Sequence, residues 1–376
     1  MGKRAWPERT TRSAQTSKGP RRRLGVRANP DSPTLLLTRS SALAEAARMT
    51  RIDQPAIGVV IPAHRATATI VETLDAVAAQ TVAPAAVVVV LDGPEPETEA
   101  IVRAHRLAPT CLVLPRNTGG PGGPRNVGAA WLLDQGKLEA IWFLDADDVP
   151  DPRFLEVVRR LLVDHPEADL VTTGFRKWSG EEPPPVRDHE IERPGAEIDL
   201  DWYLARTGSV LPSFSVLRTR AFDAVRENQQ PFDDTIRINQ DYELFIRLLH
   251  LGTAVRTVWS GGAYRMHLQG ISADGPALWL CRMVTNESLA RWFESRGDSD
   301  QARRFERTAS SAMRTAVRHL WRRAEPGDRS QALRLLLDDI AAHPSSKSIA
   351  LLLLLPLGLD RRGRRVRRGD ARLSPV

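Results

Sequence analysis

Residues 140–148 read Ala-Ile-Trp-Phe-Leu-Asp-Ala-Asp-Asp, five apolar residues that end abruptly in a run holding three carboxylates. The apolar part is too short for an ordinary helix and apolar at every position, the pattern of a strand covered on both faces of a parallel sheet. Three earlier runs repeat it: Ile57–Ile61, Val87–Leu91 and Cys111–Leu114. Segments with helical spacing separate them. Ile70, Leu74 and Val77 recur on one face ahead of Pro84, and Pro124 opens a helix that groups Val127, Ala130 and Trp131. Strand and helix alternating in this way predict a doubly wound, mostly parallel α/β sheet.

Beyond residue 150 the rhythm changes. A helix is expected over 151–164, a strand over 169–175, and a Pro-, Glu- and Gly-rich loop over 179–200. Leu244, Phe245, Leu248 and Leu249 mark one face of another helix. The domain plan is a basic, disordered tail (1–52), the α/β domain (53–275), an amphipathic helical region (276–345), and an apolar segment with an Arg-rich tail (346–376).

Charge separates body from ends. The chain of 376 residues carries +7, but residues 1–50 hold +8 and residues 360–376 hold +5, which leaves −6 for everything between. The pI of about 10 therefore describes the tails, and a nucleic-acid groove is not expected. Two cysteines, Cys111 and Cys281, fit a reducing compartment. No apolar stretch follows Lys3 and Arg4, so a secretory signal is not expected. Ile349 to Leu359 is apolar but about half the length of a membrane span, and six arginines follow between 361 and 368. Two readings stay open for it: a segment lying on an anionic membrane face, and a buried helix with a solvated tail.

Ligands of open parallel sheets bind beyond the carboxyl ends of the strands. There the sequence places Pro62-Ala63-His64-Arg65, then Asp92-Gly93, then Arg116-Asn117, and finally Asp145-Ala146-Asp147-Asp148. Clustered carboxylates repel unless a cation neutralises them, and oxygen ligands favour Mg²⁺ or Mn²⁺. Asp145 and Asp147 are the candidate metal residues; Asp148 or Asp151 would cap the following helix. Asp92 would accept hydrogen bonds from a nucleoside or simply make a turn with Gly93. Arg125 opens a helix, where a lone cation is disfavoured, so its partner is a diphosphate or one of the aspartates. Asp241 precedes the inward positions 244, 245 and 248, which makes it a candidate general base. Arg265 and His267 would share a strand face and touch diphosphate or metal. The glycines at 119, 120, 122 and 123 lack the spacing of a phosphate loop and read as a flexible connection.

In this order the residues resemble the family 2 glycosyltransferases with the GT-A fold. The resemblance is carried by Val59-Val60-Ile61-Pro62-Ala63, Asp92-Gly93, Arg125-Asn126-Val127-Gly128, Phe143-Leu144-Asp145-Ala146-Asp147-Asp148 and Gln240-Asp241, over about residues 55–275. It implies an inverting, metal-dependent transfer of a sugar from a UDP-, GDP- or dTDP-linked donor to a glycan or lipid-linked acceptor. Pro62, Ala63, His64, Arg65 and Asp92 would hold the nucleoside and Arg125 the nucleotide end. Asp145 would bind the ribose or the metal's water shell and Asp147 the metal, with Asp241 as base. The pattern departs at Leu91, where the family often has a second aspartate, and at Gln240, where it commonly has Glu.

Two rival functions remain. A sugar-phosphate nucleotidyltransferase would show a Gly-rich basic loop after the first strand, and Pro62-Ala63-His64-Arg65 is not one. A non-catalytic binder of membrane or nucleic acid would work through the basic ends, against which the acidic body argues. The expected location is cytoplasmic, or peripheral on the inner face of the plasma membrane.

Overall fold

The computed structural model describes residues 55–179, 195–225, 230–266, 275–342 and 344–357. The chain divides into units 1–52 and 53–376, and the described residues all belong to the second. The expectations for the basic tail, for His267 and for residues 358–376 lie outside the described residues.

The four apolar runs form parallel strands β1 (Ile57–Ala63), β2 (Ala86–Leu91), β3 (Thr110–Val113) and β4 (Ala140–Phe143), ordered β3-β2-β1-β4. Their uniform apolarity has a direct cause. Val59, Ile61, Val89 and Leu91 pack on one side, against α1 (Ile70–Ala78), α2 (Pro96–Ala104) and α4 (Phe154–Asp164). Val60, Val88 and Val90 pack on the other, with α3 (Gly122–Gln135). Each buried Val, Leu or Ile contributes about 1.5–3 kcal/mol relative to exposure, so neither face tolerates a charge.

The second half extends the sheet in mixed directions. Strand β8 (Ser215–Arg218) runs antiparallel to β4 and to β6 (Ala168–Trp178), and β9 (Thr253–Arg265) lies parallel to β6. Two short strands, β5 (Val149–Pro150) and β7 (Ala196–Ile198), pair antiparallel with β9. Strand β7 and helix α5 (Leu200–Leu204) begin inside or just after the stretch expected to be loop. Helix α6 (Arg220–Val225) follows β8, and α7 (Gln240–Leu251) buries Leu244, Phe245, Leu248 and Leu249, as the spacing requires. Helices α8 (Gly275–Ser295), α9 (Ser299–Arg323) and α10 (Asp328–Ala342) fill the stretch expected to be helical, and α11 (Ser346–Leu354) lies in the apolar segment after it.

Helix α3 corrects one expectation. Val127 and Ala130 face solvent, and the buried stripe is Arg125, Gly128, Ala129 and Leu132. The helix lies so close to the sheet that a Cβ on Gly128 would overlap the Val60 side chain and reach within 3.2 Å of Val90. Small residues, not large ones, make the inward face here.

Candidate active site

Three strand ends and one helix start converge at the carboxyl rim of the sheet. Strand β4 stops at Phe143, and the turn Asp145-Ala146-Asp147-Asp148 follows before β5. Each carboxylate in it has a different environment. Asp145 is about one-third exposed and takes a 2.5 Å ion pair from Arg125, and its backbone N–H donates to the Ser213 hydroxyl. Asp147 is half-buried. Asp148 is fully buried and accepts a 2.9 Å hydrogen bond from the Arg265 backbone N–H. Burial pushes the Asp148 carboxyl well above its usual range, helped by the negative charges of Asp147 and Asp145 and opposed by hydrogen bonds from Ser213 and Arg265. Asp148 thus anchors the turn from inside. The helix-start role falls to Asp151, which accepts from the Arg153 N–H ahead of α4.

Arg265, at the end of β9, holds this turn. Its Nε donates to the Asp147 carbonyl at 2.9 Å, its Nη2 pairs with Glu72 of α1, and its guanidinium lies 4.1 Å from the Trp178 ring centroid. The turn is therefore strapped to β9 through both backbone and side chain.

Arg125 and Asn126 tie the first half of the chain to the second. The Arg125 side chain is only 3% exposed, pairs with Asp145, and sits 5.1 Å from the Phe232 ring centroid. Its Nε and Nη1 are buried without a hydrogen-bond partner. Asn126 accepts from the Phe232 N–H and donates to the Phe232 carbonyl, at 3.0 and 2.8 Å. That clamp fixes the segment leading into α7. Asp241 stands in the first turn of α7 and is half-buried. Burial raises its carboxyl above the ordinary range; the Arg125 charge opposes this and the Asp145 charge adds to it. Asp241 and the acidic turn therefore share one electrostatic environment.

The nucleoside-side residues form a second cluster. His64 pairs with Glu95 at 2.8 Å and contacts the Asn117 amide at 3.2 Å. Arg65 adopts φ 53°, and its N–H donates to the same Glu95 carboxylate. Pro62 and Ala63 complete β1, buried against Val90 and Leu91. Asp92 is buried and accepts from the Thr118 N–H at 2.8 Å, so one of its oxygens holds the loop ahead of α3. That loop is close-packed rather than flexible: a Cβ on Gly120 would come within 2.7 Å of the Arg237 carbonyl. Glu95, Thr118, Ser213 and Phe232 were not legible as site residues, because they are ordinary in sequence and act through contacts distant along the chain.

Among the described residues no group of three His, Cys, Asp or Glu side chains converges as a metal cage. Mg²⁺ and Mn²⁺ do not need one, since they commonly use one or two carboxylates and take other ligands from phosphate and water. Asp147 and the partly exposed Asp145, both oxygen donors on one turn, fit that requirement.

A mixed α/β sheet with an acidic turn at the end of its central strand, an inward carboxylate at a later helix start, and a helical C-terminal region is a GT-A type glycosyltransferase fold. Residues 58–226 match the family described as Glycosyl transferase family 2. That match ends before Asp241. A search of the curated proteins found no match. Among solved structures the chain is similar to S. aureus TarS, at 20% identity and TM-score 0.50, covering 80% of this chain and 51% of that one. This chain thus spans about half the length of that TarS chain. It also matches TarS 1-349 in complex with UDP-GlcNAc, at 18% identity and TM-score 0.48, with 80% and 92% covered. A third match is the mannosyltransferase PcManGT from Pyrobaculum calidifontis in complex with GDP-Man and Mn²⁺, at 16% identity and TM-score 0.48, with 86% and 95% covered. The likeness to TarS is one of fold.

Proposed function

We propose that the protein transfers a sugar, with inversion, from a nucleoside-diphosphate sugar to an acceptor hydroxyl on a cell-envelope glycan or glycolipid. The observation that carries this reading is the joining of the acidic turn to Asp241 through Arg125. The same cation pairs with Asp145 and acts on the charge of Asp241. An inverting transfer needs that adjacency, because the base must face the anomeric carbon while the leaving group sits on the turn's side.

The donor's nucleoside would rest on Pro62, Ala63, His64, Arg65 and Asp92, with Arg125 toward the nucleotide end. Asp145 and Asp147 supply hard oxygen donors for Mg²⁺ or Mn²⁺, which when bound offsets the charge of the leaving diphosphate. Asp241 would accept the proton of the acceptor hydroxyl as its oxygen attacks the anomeric carbon. The bond from that carbon to the diphosphate oxygen breaks, and its electron pair leaves with the nucleoside diphosphate. Its partly buried setting favours proton transfer, since a carboxyl raised above the ordinary range is a stronger base. Arg265 would keep the turn in register. The setting is the cytoplasmic side of a membrane, with contact through the C-terminal end.

The test is calorimetric titration of UDP, GDP and dTDP, with and without Mn²⁺, on the wild type and on Asp147→Asn. Metal-dependent binding of one nucleotide, lost in the variant, is the expected result. Binding of none of the three overturns the donor site. Pyrophosphate released from a sugar phosphate, instead of free nucleoside diphosphate, would make the protein a nucleotidyltransferase.

A further inference from the structure

Helix α11 breaks the rule that surface helices turn polar residues outward. Only Leu351 and Leu355 of its apolar run are buried, in a cluster with Met313, Val317, Leu320, Ala332 and Leu336 of α9 and α10. Outward the helix shows Ile349 at 43% and Leu353 at 66% exposure, one turn apart on the same face, while Leu352 packs against the inner cluster. No charged residue occurs between Lys347 and Asp360. An apolar face of this kind is costly in water and marks a contact surface. No helix among the described residues is long and apolar enough to cross a membrane, so the contact is lateral.

Charge selects the occupant. Residues 360–376 carry seven arginines and two aspartates, a net +5 directly after the helix. A second copy docking by the same face would bring two such runs together. The N-terminal stretch 1–50, at +8, would meet like charge as well. An anionic bilayer supplies both apolar depth for Ile349 and Leu353 and negative charge for the arginines, the pairing that holds interfacial helices. We propose that Ile349 and Leu353 of α11 seat the protein on an anionic lipid surface, which the net +5 charge of residues 360–376 favours. This rests on and deepens the membrane setting proposed above, and it stands independently of the donor site.

The test is co-sedimentation of the full chain with vesicles of phosphatidylcholine alone, or of phosphatidylcholine with 30% phosphatidylglycerol, at low and high salt. The expected result is binding to the anionic vesicles only, weakened by salt. The double substitution Ile349→Ser, Leu353→Ser should reduce it roughly tenfold, since about 25 cal/mol is lost per Å² of apolar surface withheld from lipid. Both positions are exposed, and thermal unfolding of the variant verifies that the fold survives. Equal binding to neutral vesicles, binding to neither, or binding unchanged in the double variant overturns the proposal. So does a dimer of the wild type, seen by ultracentrifugation without lipid, that the double variant dissolves. Donor turnover in detergent-free solution is expected to stay unchanged in the variant, which separates this outcome from failure of the transferase reading.

Discussion

Replacing Arg125 by Met removes one charge from the point where the two halves of the site meet, and two independent effects follow. The first is on stability. Breaking a fully buried ion pair costs about 3–5 kcal/mol. Asp145 is one-third exposed and can turn to water, while Arg125 carries two buried nitrogens without partners whose desolvation the substitution relieves. Loss of the contact with Phe232 adds about 0.5–1 kcal/mol. A net loss of about 2 kcal/mol is expected, read as a lowered urea midpoint at constant slope. The second effect is on the base. The Arg125 charge pulls the Asp241 carboxyl down against burial, so its removal moves that carboxyl further up. The acid limb of the kcat/KM profile should therefore shift to higher pH in Arg125→Met and stay near wild type in Arg125→Lys. A limb that fails to move, or moves to lower pH, would refute the shared electrostatic environment and with it the assignment of Asp241.

Asp241→Asn should reduce turnover by about 10²–10⁴-fold while nucleotide affinity measured by calorimetry is retained. Because the folded-state carboxyl lies above its unfolded value of 3.8, its ionisation penalises the fold once pH rises through that range. The variant should therefore be more stable than wild type at pH 7, with the difference closing below the unfolded value; equal stability at pH 7 would argue against a strained base. Arg265→Gln should loosen the acidic turn without touching substrate, lowering nucleotide affinity about tenfold, since misplacements near 1 Å cost up to 10²-fold; unchanged affinity would deny Arg265 its positioning role. Gly128→Ala should cost about 1–2 kcal/mol, overpacking against Val60 outweighing the gain of about 1 kcal/mol in helix propensity. Adding Val60→Ala should make the pair less destabilised than the sum of the single variants, as a denaturation cycle would show.

The parallel half of the sheet and its rim were legible because a strand buried on both faces has few ways to be written. Ile57–Ile61 and Ala140–Leu144 announce themselves by having no polar face, and whatever follows them must lie at the ligand edge. Asp241 was legible for a similar reason, as a carboxylate placed on the inward stripe of a helix. The antiparallel part was harder. Strand β8 has only four residues after a single 3₁₀ turn at Pro212–Phe214, and β7 only three, too short for a period to register. In α3 the large apolar residues misled, because close helix–sheet approach selects glycine and alanine instead. The positioning contacts could not be read at all: Arg265 reaches Glu72 and Asn126 reaches Phe232, and nothing local to either partner specifies the other.

The antiparallel seam between β4 and β8 matters before the protein is finished. Strand β4 takes β1 on one side, but its other edge pairs Ala140, Ile141 and Trp142 with Arg218, Leu217 and Val216. A ribosome adding about 5–20 residues per second presents that edge, with Trp142 and Phe143 uncovered, for several seconds before β8 emerges. The nascent chain at that stage is an open template for strand pairing, and it is there that chaperone engagement, or failure of recombinant expression when the chain is cut short of residue 218, would be decided.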